Sequence, residues 1–91
     1  MSTYSFRAML ENIAQIAGES ELALQLETST AQHETASAAF RRALLGGDHF
    51  AARAALQRMH DAATIIDVIL GEHDRRADAL VDQMLKGEQL T

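Results

Sequence analysis

The side chains with the most potential for chemistry are four histidines, at positions 33, 49, 60 and 73. Three have a carboxylate as the next residue: His33-Glu34, His60-Asp61 and His73-Asp74. Neighbours on a helix point about 100° apart, so none of these pairs converges on a metal ion. The sequence also lacks H-x-x-x-H and E-x-x-H, the spacings with which one helix supplies two ligands on one face. We therefore expect no metal site and no cofactor.

Catalytic motifs are equally absent from the polar segments. Serine and threonine cluster at 28–30 and 35–37, but no Gly-x-Ser-x-Gly elbow, glycine-rich phosphate loop or paired-carboxylate pocket accompanies them. The chain has no cysteine, and therefore no disulfide, thiolate ligand or cysteine nucleophile. A thin helical protein also offers little volume for a water-excluding pocket. The sequence predicts a protein that is not an enzyme.

Composition restricts the class of protein further. Of 91 residues, 47% are hydrophobic but only 4% aromatic, which predicts a thin core of small side chains that needs a partner for ordinary stability. A net charge of −5 disfavours nucleic-acid binding. The longest dense apolar run, 65–70, is interrupted by Asp67, and the first residues do not resemble a signal peptide. We expect a soluble, cytoplasmic protein without membrane insertion.

The absence of proline and the apolar spacing predict an all-α single domain, 1–91, made of three helices. The first helix, at about 4–17, follows a Ser2/Thr3 region that can cap it. Gly18 ends this helix, and Ser20 can cap the second, at about 21–45. The expected apolar faces, in chain order, are Phe6, Met9, Leu10, Ile13, Ile16 and Ala17, then Leu22, Leu26, Ser29, His33, Ala36, Phe40 and Leu44.

Gly46-Gly47-Asp48 predicts a hairpin turn, with glycines in the left-handed conformation and Asp48 capping the third helix, at about 49–86. We expect coiled-coil-like, antiparallel packing of the second and third helices. Gly71 allows a hinge, but the unbroken spacing around it favours a continuous helix. The predicted seam of this helix is Ala52, Leu56, Met59, Ala63, Ile66, Leu70, His73, Ala77, Leu80 and Met84.

Two features of this arrangement stay open in the sequence. The first helix either extends the second or folds back as a third helix. His33 and His73, which fall on the seams, are expected to be partly buried and hydrogen-bonded, although a pH-sensitive contact is the alternative, because histidine titrates near pH 6.5.

The third helix extends beyond the second, so its last third must meet the first helix, another copy or another protein. We expect a homo-oligomer or a complex with an amphipathic helix of another protein. The predicted partner-binding residues are the larger apolar residues of the seams: Phe40, Leu44, Leu56, Met59, Ile66, Leu70, Leu80 and Met84.

Residues 22–71 resemble the small co-chaperones of type III secretion needle subunits. The likeness lies in Arg41-Arg42-Ala43-Leu44-Leu45-Gly46-Gly47-Asp48 and in a helix ending with Ile65-Ile66-Asp67-Val68-Ile69-Leu70-Gly71. The resemblance implies a helical hairpin that pairs with a helical-repeat chaperone to shield an aggregation-prone subunit before export. It assigns no individual functional residue, and this chain departs from the family by continuing about twenty residues beyond Gly71. A self-associating helical protein is the alternative.

Overall fold

The computed structural model describes residues 5–89, which form three α-helices and no strand. The helices are α1 (Phe6–Ile16), α2 (Glu19–Leu45) and α3 (His49–Gln89). The all-α prediction is confirmed. Ser2, Thr3 and Tyr4, on which the predicted start of the first helix rested, lie outside the described residues.

The two short connections are set by local backbone chemistry. Ser5 caps α1, since its hydroxyl accepts a hydrogen bond from the Ala8 N–H at 3.1 Å. Ala17 and Gly18 are both extended, so α1 ends there and does not continue into α2. The prediction that Ser20 caps α2 is wrong: Gly18 occupies that position without a side-chain bond. Glu19 and Glu21 stabilise this helix start instead, because carboxylates interact favourably with the positive end of the helix dipole.

The turn between α2 and α3 has the predicted cap at Asp48, whose carboxylate accepts a hydrogen bond from the Ala51 N–H at 3.0 Å. Only Gly47 is left-handed, with φ of 73°, whereas Gly46 stays in the right-handed helical region. The Asp48 N–H donates back to the Ala43 carbonyl at 2.9 Å and so closes α2. α3 then continues through Gly71 without a break, which confirms the continuous helix and excludes the hinge.

Contacts between distant residues define how the helices pack. Arg7 forms an ion pair with Asp67, and Arg76 donates to the Ala17 carbonyl, so α1 runs in the same direction as α3. α1 therefore folds back beside α3, which decides between the two alternatives that the sequence left open. α2 also packs along α3. Leu22 shares a groove with Ile69 and Ala36 shares one with Ala62, so these two helices run in opposite directions.

The core is thin and rich in alanine. Ala14, Ala17, Leu22, Val68 and Ile69 form its largest buried cluster. Leu10, Leu26 and Ile65 pack against this cluster, and Ala36, Ala52, Ala55 and Ala62 are buried closer to the turn. Because few large side chains contribute, the molecule is elongated, measuring 66 × 33 × 18 Å.

The buried stripe of α3 differs from the predicted one. Of the predicted seam, Ala52 is buried and Met59 and Ile66 are partly buried. Leu56, Ala63 and Leu70 are exposed, and the residues before them, Ala55, Ala62 and Ile69, are buried instead. His73 is also exposed rather than partly buried. Where α3 packs against both other helices, α1 draws Val68 and Glu72 into the interior, whereas Ala62, farther from α1, shares a groove with Ala36 of α2.

The α1 and α2 stripes follow their predictions to different degrees. In α1 the prediction is wrong for Phe6, Met9, Ile13 and Ile16, which are exposed because the helix contacts α3 along Leu10, Ala14 and Ala17. The predicted stripe of α2 lies on the buried side, with Leu22, Ser29 and Ala36 buried and Leu26, His33 and Phe40 partly buried. Leu44 is its exposed exception.

Candidate interaction surface

The last part of α3 stands clear of the other helices. Arg76 is the last residue that contacts the α1–α2 connection, through Ala17 and Glu19. Every residue from 77 to 87 is exposed, and we call this segment the overhang. Its large apolar side chains are between 53% and 63% exposed: Leu80, Val81, Met84 and Leu85. Their spacing places them on one side of the helix as a continuous apolar stripe.

The eight residues predicted to bind a partner fall in three places. Leu80 and Met84 lie in the overhang. Leu56 and Leu70 are exposed on α3 beside α2, and Leu44 is exposed near the turn. Phe40, Met59 and Ile66 are partly buried, because they lie where α2 and α3 pack together. The fold therefore brings only Leu80 and Met84 together on one uncovered surface, and it separates them from Leu44 by almost the whole length of α3.

A groove leads from the α2–α3 pair into the overhang. Its first part, of about 340 Å³, is lined by Leu22, Ala23, Leu26, Ile69 and Leu70, with Glu19 and His73 at one end. Its second part, of about 290 Å³, is lined by Glu19, His73, Arg76, Ala77 and Leu80. Since Glu19 and His73 belong to both parts, the apolar stripe of the overhang continues onto the body of the molecule.

The turn carries a second apolar surface, which we call the tip: Leu44, Leu45 and Phe50. Leu45 is 90% exposed and Phe50 is 88% exposed, the highest values among the large apolar side chains of the described residues. Neither residue was predicted to bind a partner, because both fall outside the helix seams. Their position was nevertheless a signal, since a large apolar residue on each side of a glycine turn has few neighbours that could cover it.

A third apolar surface lies between α1 and α2. Leu10 and Ile13 of α1 face Leu24 and Thr28 of α2 across an open groove of about 360 Å³. The groove is open because α1 packs mainly on α3 and contacts α2 only weakly. This surface was not predicted, since the sequence left open how the first helix packs.

A buried carboxylate fixes α1 in place. The side chain of Glu72 is only 9% exposed and forms ion pairs with Arg75 at 2.6 Å and Arg76 at 3.1 Å. Arg76 also donates to the carbonyls of Ala14 at 2.9 Å and Ala17 at 2.6 Å, at the end of α1. A cation satisfies these free carbonyls and interacts favourably with the negative end of the helix dipole. Glu72 therefore orients the arginine that holds α1 against α3.

This network predicts a loss of stability in acid. Hydrogen bonds from Arg75, and then from Arg76, hold the pKa of Glu72 below its usual range despite the opposing effect of burial. A carboxylate with a lowered pKa stabilises the fold above its unfolded pKa of about 4.3, and this contribution disappears as the pH falls through the folded pKa. We expect Glu72→Gln to lower the free energy of unfolding at pH 7, and the difference from the parent to shrink below about pH 4.

Urea denaturation followed by circular dichroism between pH 7 and pH 3 measures this difference. Asp74→Asn is the control, because Asp74 is exposed and takes part in no ion pair among the described residues. A Glu72→Gln variant as stable as the parent at pH 7 would contradict the role assigned to Glu72.

The remaining chemical features are few. Within the part of the chain that the structure describes, no three His, Asp or Glu side chains form a group able to hold a metal ion. None of the described helices combines the length and apolar content needed to cross a bilayer. Comparison with protein-family models, with curated proteins and with solved structures found no match to this chain.

Proposed function

We propose that this protein is a non-enzymatic helical binding and assembly module whose working surface is the overhang. The observation that carries the proposal is the exposure of Leu80, Val81, Met84 and Leu85 on a segment that no other helix covers. A contiguous apolar stripe on an isolated helix is costly in water and is typical of a surface that another protein covers. Burial of the exposed half of these four side chains would contribute about 4–6 kcal/mol to association.

The chemistry of the stripe favours another α-helix as the partner. Apolar side chains three and four residues apart fit the complementary stripe of an amphipathic helix. We further propose that α2 and α3 act as an antiparallel hairpin with coiled-coil-like packing, which holds the overhang in a fixed direction. The groove containing Leu70 and His73 extends the contact surface beyond the overhang itself.

The resemblance to needle-subunit co-chaperones gives this module a specific form. In that form the protein works in the cytoplasm, pairs with a helical chaperone and helps to hold an export substrate. The arginine-rich segment that leads into the glycine turn supports this proposal, as does the apolar segment that ends at Gly71. The alternative is a self-associating structural protein, in which another copy of this chain covers the overhang.

Two single substitutions test the overhang. Leu80→Asp and Met84→Asp each place a charge in the stripe, but neither side chain packs in the fold. At a concentration too low for association, we expect helicity and unfolding midpoint close to those of the parent, because substitutions at exposed sites usually have small effects. Association should weaken at least tenfold, the change that a loss of about 1.4 kcal/mol produces. Sedimentation equilibrium measures self-association, and co-purification measures the retention of any co-expressed partner.

Ala79→Asp is the matched control, because it adds the same charge to the same segment but on the side opposite the stripe. It should behave as the parent does. If Leu80→Asp and Met84→Asp both keep the assembly state and the partner affinity of the parent, the overhang is not an interface and the proposed function is wrong.

A further inference from the structure

The two ends of the molecule carry opposite charges. Residues 41–58 contain four arginines and one aspartate, a net charge of +3, whereas the whole chain carries −5. The rest of the sequence therefore has a net charge of −8. The turn lies at one end of α3 and the overhang at the other, and α3 alone is about 60 Å long at 1.5 Å per residue. Most of this negative charge is spread over α1, α2 and the middle of α3, and the overhang itself carries a net charge of −1, opposite in sign to the turn at the other end of the long axis.

The tip combines apolar and cationic side chains. Arg41 lies one helical turn before Leu44 and Leu45, and Arg53 lies one turn after Phe50. Arg41, Arg42 and Arg53 are exposed, and none of them joins an ion pair among the described residues. The one acidic group nearby, Asp48, is engaged in capping α3. The tip is thus a projecting apolar surface surrounded by unpaired positive charge.

The overhang has the complementary composition. Residues 77–87 contain two carboxylates, Asp78 and Asp82, and one lysine, Lys86, for a net charge of −1. These two residues are one helical turn apart and so flank the same side of the apolar stripe. Like the arginines of the tip, they are exposed and belong to no ion pair among the described residues.

We propose that the occupant of the overhang is the tip of a second copy of this chain, so that copies associate head to tail. Leu44, Leu45 and Phe50 of one copy pack on Leu80, Val81 and Met84 of the next, and Arg41, Arg42 and Arg53 face Asp78 and Asp82. This inference rests on the proposed function, because it names the partner of the same surface. The contact is heterologous, so a pair of copies keeps one free tip and one free overhang and assembly can continue.

A symmetric contact between two overhangs is less favourable. A two-fold axis brings the same patch of both copies together. That patch carries Asp78 and Asp82 against the single positive charge of Lys86, so the contact would bring together two surfaces of the same net sign, which is unfavourable. Pairing with the tip replaces this repulsion with attraction, and it covers Leu45 and Phe50, which the symmetric contact leaves exposed.

Mixing two defective variants distinguishes these arrangements. The tip variant carries Leu45→Asp and Phe50→Asp, and the overhang variant carries Leu80→Asp and Met84→Asp. All four side chains are exposed, so both variants should match the helicity and unfolding midpoint of the parent at a concentration too low for assembly. Each variant alone should be monomeric in sedimentation velocity at a concentration where the parent assembles. An equimolar mixture should form a 1:1 dimer that grows no further, because each variant retains one intact end.

Charge reversal tests the ionic part of the contact. Two double variants reverse the charges: Arg41→Glu with Arg42→Glu at the tip, and Asp78→Lys with Asp82→Lys at the overhang. Each variant alone should weaken association at least tenfold in low salt, and mixing the two variants should restore pairing. Assembly of the parent should weaken as ionic strength rises, because the charges at both ends are exposed.

The outcomes separate this inference from the proposed function. A 1:1 dimer in the mixture of tip and overhang variants supports head-to-tail assembly. If the tip variant assembles as the parent does, or if the mixture stays monomeric, head-to-tail assembly is wrong, although an interface at Leu80 and Met84 still stands. A parent that is monomeric at every concentration also overturns this inference. The proposed function would fail only if the overhang variant retained every association of the parent.

Discussion

Replacement of Ile69 by aspartate is expected to unfold the protein, whereas the same replacement at Leu70 is expected to leave it folded. The two residues are adjacent in α3 but differ in exposure: Ile69 is 3% exposed and Leu70 is 47% exposed. Ile69 belongs to the main buried cluster with Ala14, Ala17, Leu22 and Val68. A charge at position 69 would therefore be placed where α1, α2 and α3 meet.

The free-energy cost of Ile69→Asp is large enough to unfold the protein completely. Removal of a buried isoleucine side chain costs about 2–5 kcal/mol, and an unpaired buried carboxylate costs several kcal/mol more. Domains of ordinary stability have a free energy of unfolding of only about 5–15 kcal/mol. Because its core is thin and rich in alanine, this chain should lie near the lower value. Far-ultraviolet circular dichroism at 25 °C should show a largely disordered Ile69→Asp variant.

Leu70→Asp is the matched control, with an expected loss of about 1 kcal/mol or less. A folded Ile69→Asp variant together with an unfolded Leu70→Asp variant would show that the buried stripe of α3 follows the sequence pattern and not the packing described here.

Ile69 and Leu70 also show why the buried stripe of α3 could not be predicted from the sequence. Alternating steps of three and four residues fit two neighbouring stripes of α3, and both stripes are apolar because alanine is abundant in each. The larger leucines, Leu56 and Leu70, favoured the stripe that proved to be exposed. For Ile69 and Leu70, the correct stripe depends on contacts with α1, which is more than 50 residues away in sequence. Hydrophobic periodicity cannot include such a contact.

Features that depend on local chemistry were predictable. The turn at Gly46-Gly47 and the Asp48 cap follow from neighbouring residues, since a left-handed glycine and a capping carboxylate act within one helical turn. The network around Glu72 and Arg76 could not be predicted in this way. Arg76 holds the carbonyls of Ala14 and Ala17, 62 and 59 residues away, and an Arg-Arg pair in a helix suggests only a solvated face.

The candidate interaction surface was predictable in part for the same reason. Leu80 and Met84 were expected to be uncovered because α3 is longer than α2, an argument from helix length alone. Leu45 and Phe50 were missed because their exposure results from the shape of the turn, not from a repeating pattern.

Replacement of Ala55 by leucine is expected to destabilise the fold by about 1–3 kcal/mol, the usual cost of adding carbon atoms to a packed interior. Ala55 is 0% exposed, and α2 is similarly lined with small side chains near the turn, at Ala36, Ala38, Ala39 and Ala43. The two helices approach closely there, so a leucine must push them apart. Urea denaturation should show a lower midpoint. Ala54→Leu is the control, because Ala54 is exposed and leucine is nearly as good a helix former as alanine.

The Ala55→Leu substitution should also affect head-to-tail association. Ala55 lies about one and a half turns from Phe50 on α3, so a change in helix spacing at Ala55 also shifts Phe50 relative to Leu44 and Leu45. Head-to-tail association should therefore weaken in Ala55→Leu even under conditions where the monomer remains folded, and it should be unaffected in Ala54→Leu. Equal unfolding midpoints for the two variants would show that α2 and α3 are not closely packed at Ala55. Equal association constants would show that the tip tolerates a change in the spacing of its two helices.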